Sequence, residues 1–241
     1  MSQLYLGTQK ITPVYNRKKF NVDVDAFLGD VNSSGEYNRP STYADIVFNG
    51  VKSLGYYALK YFFDSATMIG SVSFPDLETA LGTHCLYCTF TDATTITSIS
   101  MPKLTRIGGY SGYSCFVRCG ITSMDFPELT TIDYNGLSNA FYESRVTSVT
   151  FPKLQTIGSN GLNGAFRNST SMNGKSLSFP SLNSSSFGGN TNCFSNMLGG
   201  ITGCTVHFPS NLQSVIGSWS DVTNGFGGTN TTVLFDLTAT T

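Results

Sequence analysis

Apolar residues recur along this chain at an interval far longer than a helical turn and too regular for loops. The dipeptide Phe-Pro, once Met-Pro, stands at Phe74-Pro75, Met101-Pro102, Phe126-Pro127, Phe151-Pro152, Phe179-Pro180 and Phe208-Pro209, with intervals of 27, 25, 25, 28 and 29 residues. An earlier copy starts at Phe48, where Asn49 replaces the proline. Counting from this first residue as zero, Ile69, Ile96, Ile121 and Val146 lie five before it. Ile46, Val72, Ile99, Met124, Val149, Leu177 and Val206 lie two before. Val51, Leu77, Leu104, Leu129, Leu154 and Leu182 lie three after, and Leu54, Ile107, Ile132 and Ile157 six after. A second phenylalanine follows fifteen after, at Phe63, Phe116, Phe141, Phe166 and Phe194, with Phe90 one residue late.

A self-similar period of this length is the signature of a solenoid. In Val146 to Leu154 the alternation around Val149 and Phe151 predicts a short strand. The following proline lacks a backbone donor and ends it. The chain then turns, inserts Leu154 and Ile157, and crosses a Gly/Asn loop. It inserts Phe166 from an expected short helical turn, Gly161 to Phe166. No single coil can bury its own apolar face, so stability must come from stacking like residues on like. The expectation is a leucine-rich-repeat-like solenoid with one short parallel strand per coil and loop or short helical crossings. It has seven coils, and Val233-Leu234-Phe235 forms a closing strand. Residues 1–41 form an N-terminal docking or capping segment, 42–217 the solenoid, and 218–241, with the only tryptophan, Trp219, a C-terminal cap.

The stretches VTSVTFPKLQTIG…AFRN and ITSISMPKLTRIG…CFVRC resemble the BspA-like type of leucine-rich repeat, over residues 43 to about 217. That resemblance implies a parallel sheet on one face and a surface protein that adheres to host cells, matrix or other microbes. The Phe-Pro-x-Leu turn and the longer Gly-rich crossings depart from the family pattern. The opening LYLGTQKITPVYN resembles the N-terminus of structural proteins from phages and prophages of gut bacteria, in which repeat domains follow a docking segment. A β-hairpin capping the first coil is a compatible reading of the same residues.

Composition narrows the function classes. Only 12% of residues are charged, and 14 basic against 15 acidic residues leave a net charge of -1. Apart from Arg17-Lys18-Lys19 there is no basic cluster, so nucleic acid is not an expected partner. No segment reaches membrane-span length, and the first residues lack a secretory signal pattern. The expected setting is therefore a virion or phage tail, with the bacterial cell surface as the alternative.

Candidate chemistry is sparse. His84 falls on a crossing and His207 at position minus one, neither with an evident nucleophile and carboxylate, so no catalysis and no cofactor are expected. The exposed strand face should carry hydroxyl ladders such as Ser98, Ser123 and Ser148. Asp76, Lys103, Glu128 and Lys153 alternate in sign on four consecutive coils, a pattern that suits register pairing. Cys85, Cys88, Cys115 and Cys119 have the outline of a zinc site and disulfides are a further alternative, yet Cys115 and Cys193 precede a ladder phenylalanine where Ala140 and Ala165 stand in other coils, which favours core packing. Asp30, Asn32, Ser34 and Glu36 open like a calcium loop, but the twelfth position is Ser41 rather than a carboxylate, and a tight polar turn competes.

Tyrosines on the crossings of the first four coils are the leading contact candidates: Tyr56, Tyr57, Tyr110, Tyr113 and Tyr134. Tyrosine offers large area, little entropy loss and a polar tip, although partial burial against the next coil is the competing reading. The resulting expectation is a non-catalytic binding protein, a phage or prophage particle-associated adhesin that contacts a host-surface protein or glycan and docks to a larger particle through its N-terminal segment. A homo-oligomer is compatible. A BspA-like bacterial surface adhesin and a structural decoration or assembly protein are the alternatives.

Overall fold

The computed structural model describes residues 45–67, 69–190 and 192–238, and before them the backbone of five short strands. The calcium-loop candidates Asp30, Asn32, Ser34 and Glu36 lie outside the described residues. From Asp45 onward the chain is the expected parallel solenoid. Its main strands are Asp45–Asn49, Ser71–Ser73, Ser98–Ser100, Ser123–Asp125, Ser148–Thr150, Ser176–Ser178 and Thr205–Pro209, which define coils 1 to 7, and Thr232–Leu237 closes the stack. Pairing keeps like positions opposite one another, with Ile46 on Val72, Val72 on Ile99, Met124 on Val149, Leu177 on Val206 and Val206 on Val233.

Each of the first five coils adds a second, two-residue strand. Ser53–Leu54, Thr79–Ala80, Arg106–Ile107, Thr131–Ile132 and Thr156–Ile157 form a continuous parallel sheet with Phe27–Leu28. This sheet places the residue six after zero in the core. The N-terminal segment contributes to both sheets. Lys19–Asp23 pairs in parallel with Asp45–Asn49 and antiparallel with Pro13–Asn16, and Leu4–Leu6 forms a hairpin with Gln9–Ile11. Parallel stacking thus begins at Lys19, ahead of residue 42.

Two phenylalanine columns fill the interior. At position zero, Phe126, Phe151, Phe179 and Phe208 stack at 5.4, 5.8 and 5.5 Å. In the second column Phe63, Phe90, Phe116, Phe141 and Phe166 stack at 5.2, 5.6, 5.0 and 5.2 Å with planes within 15°. All are buried, and full burial of such a side chain stabilises by about 1.5–3 kcal/mol. The sign alternation forms pairs between coils: Lys103 meets Asp76 at 2.8 Å and Lys153 meets Glu128 at 2.7 Å. These pairs are exposed and screened by solvent, so they act on register more than on stability.

All six thiols are free. Five are buried and Cys88 is half-buried. Cys115 and Cys193 are fully enclosed at the alanine positions of other coils. Among the described residues no three His, Cys, Asp or Glu side chains are grouped to hold a metal. The C-terminal end is covered by short helical turns, Gln213–Ile216 and Ser220–Thr223, with Trp219 edge-on against Phe187 of coil 6 at 4.9 Å. No helix among the described residues is long and apolar enough to cross a membrane.

Candidate functional site

The crossings are where the structure departs from expectation, because Gly161 to Phe166 and its equivalents form no helix. In coil 1 alternate amides divide their bonds. Ala58, Lys60 and Phe62 donate to carbonyls three residues back, at 3.2, 3.1 and 3.0 Å, whereas Tyr57, Leu59 and Tyr61 donate to Thr83, Cys85 and Tyr87 of the next coil. An α-helix would consume every amide locally; here half of them tie neighbouring coils together. The side chains follow a period of four, two outward and two inward: Tyr56 and Tyr57 out, Ala58 and Leu59 in, Lys60 and Tyr61 out, Phe62 and Phe63 in.

The second outward residue of each period has a left-handed backbone. In coils 4 and 5 this position is Asn135 and Asn160, with φ of 52° and 55°, and asparagine tolerates that conformation well. The same row in coils 1 to 3 is Tyr57, His84 and Tyr110, with φ of 58°, 60° and 58°. Bulky side chains in the left-handed region are costly, and such positions cluster at sites where function outweighs strain.

Those residues build a continuous aromatic ribbon across four coils. Tyr57 lies 5.4 Å from His84, His84 stacks on Tyr110 at 5.5 Å, and Tyr110 meets Tyr134 edge-on at 5.1 Å. A parallel column runs from Tyr61 to Tyr87 and Tyr113, at 5.5 and 5.6 Å. His84 joins the columns through Tyr87 at 5.1 Å. Tyr56 packs on Tyr57 at 4.0 Å. All five sequence-nominated tyrosines are therefore in one patch. Tyr56, Tyr61 and Tyr134 are 43%, 43% and 47% exposed, and the others half-buried.

Two members carry no tyrosine signal. Lys60 places its ammonium 4.5 Å from the Tyr57 ring centre and 5.3 and 5.5 Å from Tyr61 and Tyr87, within cation–π range. His84 was visible only as an isolated histidine on a crossing. Its alignment with Tyr57 and Tyr110 becomes evident once the one-residue insertion in coil 2 is counted.

Apart from the Lys60 ammonium, the side chains of the ribbon are neutral at pH 7. Burial, then the charge of Lys60, lowers the pKa of His84, so its ring is neutral at pH 7, and its enclosed Nδ1 has no hydrogen-bond partner. Burial raises the Tyr61 and Tyr87 hydroxyls, and mutual hydrogen bonding raises Tyr57 against Tyr56 and Tyr110 against Tyr134, at 3.2 and 3.3 Å between oxygens. Beside it, over coils 2 to 5, lies a concavity of about 310 Å³ between Cys88, Ser114 and Asn139 on one wall and Thr91, Val117, Tyr142 and Arg167 on the other.

The strand face is a weaker candidate. Its hydroxyls are exposed, but several already bond across strands: Ser71 donates to Asp45 and Thr150 to Asp125. His207 Nδ1 lies 2.9 Å from Asp236 on the closing strand, remote from the ribbon.

Comparison with known proteins agrees with this architecture. The model of the BspA type leucine rich repeat region matches six copies, over residues 45–139 and 134–218. No curated protein and no solved structure matches the chain. Leucine-rich solenoids are generally non-catalytic, and a repeat region of this type suggests a protein-binding or adhesin-type role. With most of its length matched, the chain belongs to the BspA-type leucine-rich repeat family.

Proposed function

We propose that this protein is a non-catalytic adhesin whose aromatic ribbon contacts a protein or glycan on a host surface, carried on a phage or prophage particle to which its N-terminal segment docks. The observation that carries the binding role is the convergence of Tyr56, Tyr57, His84, Tyr87, Tyr110, Tyr113 and Tyr134 on one face, with the Lys60 ammonium over the rings at its coil 1 end. Its rings pack against one another, which lowers the ordering cost of binding. Left-handed aromatics in coils 1 to 3 have no structural need, since coils 4 and 5 make the same turn with asparagine.

The particle setting is supported by the phage-like opening residues. A bacterial cell-surface adhesin is the second reading, supported by the family match. Mass spectrometry of purified particles separates the two: the protein should co-purify with particles at fixed stoichiometry, and particles that lack it would exclude the virion setting. Binding of the purified chain to host-surface extracts tests the adhesin role in either setting.

A further inference from the structure

The concavity beside the ribbon has a chemistry of its own. Its walls include the Val117 side chain and the half-buried Cys88, whose thiol is kept protonated by burial. Between them stand the neutral polar groups of Thr91, Ser114 and Asn139, and at one end the Arg167 guanidinium sits over the Tyr142 ring, 5.7 Å from its centre. No lining residue is acidic.

The surrounding carboxylates are engaged elsewhere. Asp92 takes Arg118 in a two-point pair at 2.5 and 2.7 Å, and Glu143 lies 3.6 Å from the same guanidinium. Arg167 has no carboxylate within 4 Å among the described residues. Along the row of outward positions the residues run Asp64, Thr91, Val117, Tyr142 and Arg167. An anionic group entering the row is therefore repelled from the coil 1 end and drawn to the coil 5 end.

Resting on the reading of this face as the contact surface, we propose that the pocket binds an acidic, N-acetylated terminal sugar of the sialic acid type. The planar guanidinium, held against Tyr142, matches a carboxylate through two parallel hydrogen bonds. The acetyl methyl group fits the apolar wall at Val117 and Cys88, while Ser114 and Asn139 face the amide and hydroxyls. A volume of about 310 Å³ is at the small end of ligand sites, about 300–1,000 Å³, and suits one sugar ring. The rest of the glycan would leave across the ribbon, past Tyr113 and Tyr110.

The test uses the whole chain with sialyllactose and lactose as probes, followed by saturation-transfer NMR and titration. Sialyllactose should bind and lactose should not. Arg167→Gln should weaken binding about tenfold to a hundredfold, the range for losing a charged hydrogen-bond partner, with an unchanged melting temperature because Arg167 is exposed. Thr91→Phe, which fills the pocket and leaves Arg167 in place, should abolish binding. Equal binding of the two probes, or sialyllactose binding that survives both substitutions, overturns the proposal. A sialylated glycoprotein before and after sialidase treatment separates the two levels of the argument. Capture that survives sialidase but is lost in Tyr110→Ala rejects the acidic sugar and leaves the contact surface standing. Absence of capture in every form removes both.

Discussion

Replacing Tyr110 by asparagine isolates the reason for an aromatic at a left-handed position. The substitution installs the residue that coils 4 and 5 use at the same place in the turn, Asn135 and Asn160. A non-glycine side chain in this region costs roughly 1–2 kcal/mol, and asparagine recovers part of that. Against the gain stand the stack on His84 at 5.5 Å and the edge contact with Tyr134 at 5.1 Å. Such contacts are worth about 0.5–1.5 kcal/mol each when buried, and less at this half-exposed surface. The two terms cancel to within about 1 kcal/mol, so the melting temperature should move by no more than about 4 °C. Binding should fall sharply, because the central ring of the ribbon is gone. Differential scanning calorimetry read beside binding to host-surface extract makes the comparison. A melting temperature lowered by 10 °C or more would show that Tyr110 holds the coil together and would refute the claim that the rings are there for contact.

Three further outcomes follow from the same structure. Phe141→Ala removes a buried ring stacked on Phe116 and Phe166; it should cost about 3–5 kcal/mol and lower the melting temperature by about 6–20 °C, and a smaller loss would contradict the columnar core. The His84 pKa lies below its ordinary 6.5, so the unfolded chain takes up the proton first as pH falls. This group's contribution is complete above about 6.5 and declines down to the folded pKa, where it levels off. Melting at pH 7.5 and 5.5 should show a steeper loss in the native sequence than in His84→Asn, and parallel losses would exclude the half-buried neutral histidine. Burial pushes Cys85 and Cys193 up to about 12 and Cys119 and Cys204 to about 11; alkylation at pH 7.5 should therefore be slow on the folded protein and reach six thiols only after unfolding, and rapid native labelling of Cys85 or Cys119 would disprove their enclosure.

Much of the architecture was legible because a solenoid repeats its instructions. Position zero, the residues two before and three after it, and the second phenylalanine all occupy the core where the spacing puts them. The crossings were harder. Gly161-Leu162-Asn163-Gly164 suits a helical turn or a series of tighter turns equally well by composition, and what decides is the neighbouring coil, whose carbonyls take every second amide. The tyrosine patch was readable as a concentration of residues on the first four crossings. Its continuity through Lys60 and His84 was not, because the insertion in coil 2 shifts His84 out of simple register. Arg167 and Tyr142 sit apart in sequence from Cys88 and Ser114, and only the stacking of four coils gathers them around one pocket.

The central claim is that the protein binds through its aromatic ribbon and leaves its hydroxylated strand face to solvent. The direct measurement compares two triple variants for binding to host-surface extract: Tyr57→Ala, Tyr110→Ala and Tyr134→Ala on the ribbon, and Ser98→Asp, Ser123→Asp and Ser148→Asp on the strands. The ribbon variant should lose affinity by about thirtyfold or more, as expected when hot-spot residues worth about 2 kcal/mol are removed, and the strand variant should bind as the native protein does. Full binding by the ribbon variant together with loss in the strand variant would contradict the account.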